Sequence, residues 1–116
     1  MKIEDKNYTI EIVNNLKTIV FTGNLRLHSI NDYSDIIEKI FNYIKEQNDS
    51  ITFDFTKLEF INSSGIASLG ILFIKLRDIE IKIKIIASKY VNWHVASLKD
   101  FQSLNPHIEI DFVVQH

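Results

Sequence analysis

Three stretches of this sequence alternate apolar and polar residues, and together they leave few architectures open. Ile51, Phe53 and Phe55 oppose Thr52, Asp54 and Thr56; Ile81, Ile83 and Ile85 oppose Lys82 and Lys84; Ile108, Ile110 and Phe112 oppose Glu109 and Asp111. A period of two is that of a strand buried on one face, whereas strands sandwiched between helical layers read as near-continuous apolar runs. Between these stretches the apolar period becomes helical. It runs through Tyr33, Ile36, Ile37, Ile40, Phe41 and Ile44, then Ile66, Leu69, Phe73 and Leu76 with Leu72 beside them, then Val91, Val95, Leu98 and Phe101. The helices therefore belong on one face of the sheet, with the other face wet. Strand–helix–strand crossovers are right-handed, so helices on one face force every crossover to step the same way. The second to fifth strands are predicted parallel and in sequential order.

Ahead of them, Tyr8–Val13 and Thr18–Thr22 read as strands joined through Asn14-Asn15, an antiparallel hairpin. Gly23 is expected to end the second strand. Ser29-Ile30-Asn31-Asp32 resembles a capping box for the first helix, and Gln47-Asn48-Asp49-Ser50 stops it. Asn105-Pro106 ends the third helix, since proline blocks continuation. The expectation is an α/β chain, a mixed, mostly parallel five-stranded sheet with helices on one face, formed by residues 1–116 as one domain.

Composition narrows the chemistry. Cysteine is absent, which excludes disulfides, thiolate catalysis and cysteine-based zinc sites. The 13 basic and 15 acidic residues are scattered and give a net charge of −2, which argues against nucleic acid or an acidic membrane surface as partner. Met1–Lys6 carries no apolar signal region, and the longest apolar stretch, Ile66–Ile74, is too short to span a bilayer. A cytoplasmic location is expected. His28, His94, His107 and His116 fall on different elements without ligand spacing, so no metal is expected. No nucleophile elbow, zinc-binding histidine pair or phosphate-cradling glycine loop is present, so neither an enzyme nor a cofactor is expected.

In the predicted order, the loops after the second, third and fourth strands share one edge, where such sheets bind partners. That edge would gather Asn24, Arg26, His28, Ser63, Ser64, Ser88 and Lys89. At its centre lies Phe60-Ile61-Asn62-Ser63-Ser64-Gly65-Ile66, an apolar strand running into an apolar helix through the residues of a helix start. Such an end exposes unpaired N–H groups and a partial positive charge. Its two serines either cap the helix or carry a phosphate, and for a pair the two roles are compatible. Gly65 would allow tight packing of the helix start, and Gly70 a close helix–strand contact. Trp93, near the start of the third helix, is either core or an interface anchor.

The strand Ile51–Phe55 followed by Leu58-Glu59-Phe60-Ile61-Asn62-Ser63-Ser64-Gly65-Ile66 resembles the signature of the STAS domain, the fold of bacterial anti-sigma-factor antagonists. The resemblance implies a partner switch. A serine protein kinase would phosphorylate Ser63 (or, as second choice, Ser64), and a phosphatase would remove the phosphate. The unphosphorylated form would bind the kinase or anti-sigma factor, with Asn24, Arg26, His28, Asn62, Ser63, Ser64, Gly65, Ser88, Lys89 and Trp93 at the contact. The family usually has aspartate where this chain has Asn62. Two other readings stand beside the switch: an unphosphorylated scaffold module in a larger assembly, and a small anionic ligand at the same helix end.

Overall fold

The computed structural model describes residues 1–47 and 49–114. Asn48, in the predicted helix stop, and His116, among the histidines not expected to hold a metal, lie outside the described residues. The strands are β1 (Lys2–Glu4), β2 (Tyr8–Val13), β3 (Thr18–Leu25), β4 (Ile51–Ile61), β5 (Ile83–Ser88) and β6 (Ile108–Val113), in sequential order in one sheet. β1–β2 and β2–β3 pair antiparallel; β3 through β6 are parallel. The helices are α1 (Ile30–Gln47), α2 (Ser63–Asp78) and α3 (Asn92–Leu104). The sequential parallel order and mixed sheet are as expected. The strand count is six, not five, because Lys2–Glu4 adds an edge strand with Ile3 opposite Ile10. Three residues are too few to display a period.

The apolar strand faces meet the helices through a chain of aromatic rings. Phe21 lies 4.9 Å from Phe55, Phe53 lies 5.1 Å from Phe73 of α2, and Phe73 lies 5.0 Å from Phe101 of α3 (ring centroids). Such offset and edge contacts add to the burial of large rings. On the opposite face Lys82, Lys84, Glu109 and Asp111 are exposed.

β4 departs from its sequence pattern in a way that matters downstream. It continues to Ile61 instead of ending at Thr56, because two bulges reset its alternation. The register against β3 steps from Val20↔Asp54 to Thr22↔Lys57, and from Gly23↔Leu58 to Asn24↔Phe60. Each step places one extra residue on β4. Asp54 Oδ1 fixes the first by accepting from the Thr56 N–H at 2.9 Å and the Thr56 hydroxyl at 2.6 Å. Leu58 and Ile61 thereby return to the core. β3 also runs on, to Leu25, so Gly23 is not its terminator. Gly23 has φ 96° and faces the Asn7 carbonyl, which accepts the Asn24 N–H at 2.8 Å.

Smaller corrections follow from local geometry. β5 starts at Ile83, two residues later than the alternation suggests, because the turn after α2 passes through Glu80 in the left-handed region (φ 57°). On α3 the buried stripe is His94, Leu98 and Phe101, while Val95 is exposed. Gly70 approaches Leu104 of α3, a helix–helix contact and not a helix–strand one. Among the described residues no helix is long and apolar enough to cross a membrane.

Gly23→Ala places a methyl against the Asn7 carbonyl at a positive φ, and should cost roughly 2 kcal/mol or more. Gly70→Ala meets only the movable end of a leucine 3.3 Å away. It should change stability by less than about 1 kcal/mol, as helix propensity offsets the tight contact. Urea midpoints of the two variants provide the comparison.

Candidate functional site

β4 hands over to α2 without a loop: Ile61 ends the strand, Asn62 is the N-cap and Ser63 begins the helix. Neither serine caps. The capping oxygen is Asn62 Oδ1, which accepts the Gly65 N–H at 2.9 Å. A helix start leaves four N–H groups without intrahelical partners. Asn62 N–H donates to Leu25 O at 3.1 Å and Gly65 is served by the cap, which leaves the Ser63 and Ser64 N–H groups at the helix end. Ser63 is exposed; Ser64 is half-buried and its carbonyl accepts the Ser68 hydroxyl at 2.7 Å.

The Asn62 amide does more than cap. Its Nδ2 donates to Leu27 O at 2.6 Å, and Oδ1 also accepts the Tyr33 hydroxyl proton at 2.7 Å. The Tyr33 oxygen in turn accepts the Leu27 N–H at 3.2 Å. Both backbone groups of Leu27 are thus satisfied, and the β3–α1 connection is tied to the head of α2. Tyr33 is buried, and burial pushes its phenol pKa up, so it stays a neutral donor. Gly65 completes the seat, since a Cβ there would lie 2.8 Å from the Tyr33 hydroxyl and against Ile61. A carboxylate at position 62 would accept from Gly65 and Tyr33 equally well, but has no proton for Leu27 O. The amide is what this corner requires.

A second network closes the far side of β4. The β4–β5 ladder covers only Ile51↔Ile83 to Asp54↔Ile86, so beyond Asp54 the two strands separate. The first turn of α3 fills the opening. Leu58 O accepts from Trp93 Nε1–H at 2.8 Å and from His94 Nε2–H at 3.1 Å, and His94 Nδ1 accepts the Ser88 N–H at 3.0 Å. Accepting at Nδ1 fixes the proton on Nε2 and the ring as neutral. His94 is fully buried, and burial lowers its pKa, although the backbone carbonyls and Asp54 oppose that shift. Trp93 also packs edge-on against Phe55 at 5.6 Å.

This arrangement can be set beside known proteins. The family model of the STAS domain matches residues 7–106 of this chain. The chain belongs to the STAS domain family. Its fold is similar to that of SiaC of Pseudomonas aeruginosa, with a TM-score of 0.68 at 10% sequence identity, covering 99% of this chain and 96% of that one. No curated protein matches the sequence.

Within this STAS domain the expected edge residues separate into three groups. Arg26, His28, Ser63 and Lys89 are exposed, and the Arg26 guanidinium stacks 4.0 Å from the Phe60 ring centroid. Asn24, Asn62, Ser64 and Trp93 are half-buried, while Gly65 and Ser88 are buried. Ser88 is held inside: its hydroxyl accepts the Tyr90 N–H at 3.2 Å and its N–H goes to His94. It is thus withdrawn from the surface on which the strand order had placed it. Lys89 leans the other way, its N–H donating to Val113 O of β6 at 3.3 Å. Sequence reasoning missed Tyr33, counted only as apolar, and His94, read as one of several scattered histidines. A Trp-His pair opening an amphipathic helix was the available signal for the second. Among the described residues no cluster of three or more His, Cys, Asp or Glu is placed to hold a metal.

Asn62→Asp keeps the cap but removes the Nδ2 donor, stranding Leu27 O. We expect a loss of about 1–3 kcal/mol in urea denaturation. His94 binds its proton less readily folded than unfolded, so the folded state takes up fewer protons just below the ordinary imidazole pKa of about 6.5. The stabilisation is whole above that pH and is lost as pH falls toward the lowered value. Thermal midpoints between pH 7.5 and pH 5.5 should fall more steeply for the native chain than for His94→Gln.

Proposed function

We propose that this STAS domain is a phosphorylation-controlled protein–protein switch in which Ser63 carries the phosphate. The observation that carries the reading is a division of labour at the head of α2. Asn62 performs the capping, so the Ser63 hydroxyl is exposed and its own N–H and that of Ser64 are left over. A serine protein kinase can reach that hydroxyl, and a phosphatase can reach the ester. Phosphorylation would add about −1.5 to −2 charge at neutral pH. Spare N–H groups and the positive end of the helix suit such a charge, so the fold would survive it. Charge placed in a docking face costs several kcal/mol through desolvation and repulsion. Each ~1.4 kcal/mol is tenfold in affinity, so one phosphate suffices to exchange partners. The unphosphorylated face would receive an anti-sigma-type regulator or the kinase itself.

Intact-mass and peptide spectrometry of the protein from its own cells tests this. A mass increase of one phosphate should map to Ser63 and vanish in Ser63→Ala. A chain unmodified under all growth conditions would leave the unswitched scaffold as the better reading.

A further inference from the structure

A sheet whose strands run in sequential order ends on two open edges, and the two edges here are not alike. β1 is three residues long and carries the Lys2–Glu4 ion pair. β6 has six residues and pairs with β5 without a break, from Ile83↔Ile108 to Ser88↔Val113. Edges are commonly blunted by shortness, a bulge, proline or lysine, and β6 has none of these. The ladder fixes which of its backbone groups face outward. Ile83 N–H donates to His107 O and Lys89 N–H to Val113 O, so Glu109, Asp111 and Val113 turn their N–H and C=O toward β5. Ile108, Ile110 and Phe112 turn theirs away. Ile108 is served, its N–H by Asn105 O and its O by Gln102 Nε2, both at 3.3 Å. The outward groups of Ile110 and Phe112 have no partner among the described residues. We propose that β6 receives an extended segment of a partner protein as a seventh strand, one whose apolar residues alternate with lysine or arginine. The proposal rests on this edge alone, whatever Ser63 carries.

The two faces of the edge select that occupant. On the helix face Ile110 and Phe112 are left half-buried, with no strand beyond them. α3 overhangs the same margin. Gln102 reaches Ile108 O, and Val95, two turns earlier on that side of the helix, is 51% exposed. Val114, just past β6, is 52% exposed. Alternate apolar residues of a seventh strand would complete this strip. On the wet face the adjoining side chains are Glu109 and Asp111, both exposed and neither in an ion pair among the described residues. Lys84 of β5 stands in register with Glu109, whereas Asp111 stands beside Ile86. Asp111 is therefore the charge left for an incoming strand. The other ionisable groups nearby lie off this row: Lys82 precedes β5, Lys89 follows it, His107 precedes β6, and Lys99 and Asp100 are exposed on α3. Joining the Ile110 and Phe112 groups of two copies of this chain would set Asp111 directly against its counterpart, a like-charge pair that destabilises an antiparallel ladder. A basic residue in that place makes the favourable pair.

Amide hydrogen exchange followed by NMR on the full chain tests this, with short synthetic peptides as probes. In the free chain the N–H groups of Ile110 and Phe112 should exchange at least tenfold faster than those of Glu109, Asp111 and Val113. A peptide of valine alternating with lysine should slow Ile110 and Phe112 at least tenfold. Peptides of valine alternating with glutamate, or of serine alternating with lysine, should not. Asp111→Lys, at an exposed position, should weaken binding of the valine–lysine peptide at least tenfold. Ile110→Pro removes an outward N–H while leaving the bonds to β5 in place, and should do the same. No slowing by the valine–lysine peptide, equal slowing by all three peptides, or indifference to both substitutions would overturn the proposal. Slowing that grows with protein concentration in the absence of peptide would overturn it in favour of a second copy.

Discussion

The side-chain amide of Asn62 meets three separate pieces of chain at once. It accepts from Gly65 at the head of α2 and from Tyr33 of α1, and it donates to Leu27 in the connection between β3 and α1. Half-buried, the group has to satisfy its partners where water supplies little, so the geometry of one amide sets the position of the whole corner. A donor end and an acceptor end on one short side chain are needed, and asparagine provides both.

The family resemblance sets an asparagine at this position against the family's usual aspartate. The structure gives position 62 an internal duty instead, and the serine beside it is freed from capping. A residue that holds the fold and a residue open to modification sit next to each other without sharing a bond. Charge can therefore be added at Ser63 without unlocking the clamp. In the proposed switch the corner would stay fixed while its surface sign changed.

What could be read from the sequence was whatever obeys a period. Alternation in Ile51–Phe55, Ile81–Ile85 and Ile108–Phe112, combined with the handedness of crossovers, was enough for the parallel sequential sheet and its one-sided helices. Features that break a period were not legible. The bulges after Asp54 and Leu58 made Lys57 and Glu59 look like the end of a strand, and Lys2–Glu4 was too short to alternate. Tyr33 was sorted by hydropathy and His94 by its lack of ligand spacing, whereas their roles depend on which backbone groups lie across from them in space. The head of α2 was found at the right residues, but its cap was assigned to the serines because Ser and Asn are equally good in that position.

The parting of β4 from β5 beyond Asp54 has a wider meaning. A torn ladder would ordinarily be a weak margin of the sheet, but here Trp93 and His94 stitch it through Leu58, while Ser88 anchors the thread from the other lip. The last third of the chain is therefore sewn directly to the strand that leads into Ser63. Loosening the opening turn of α3 would slacken the support beneath that serine, so in the proposed switch this seam would link α3 to the face that Ser63 marks.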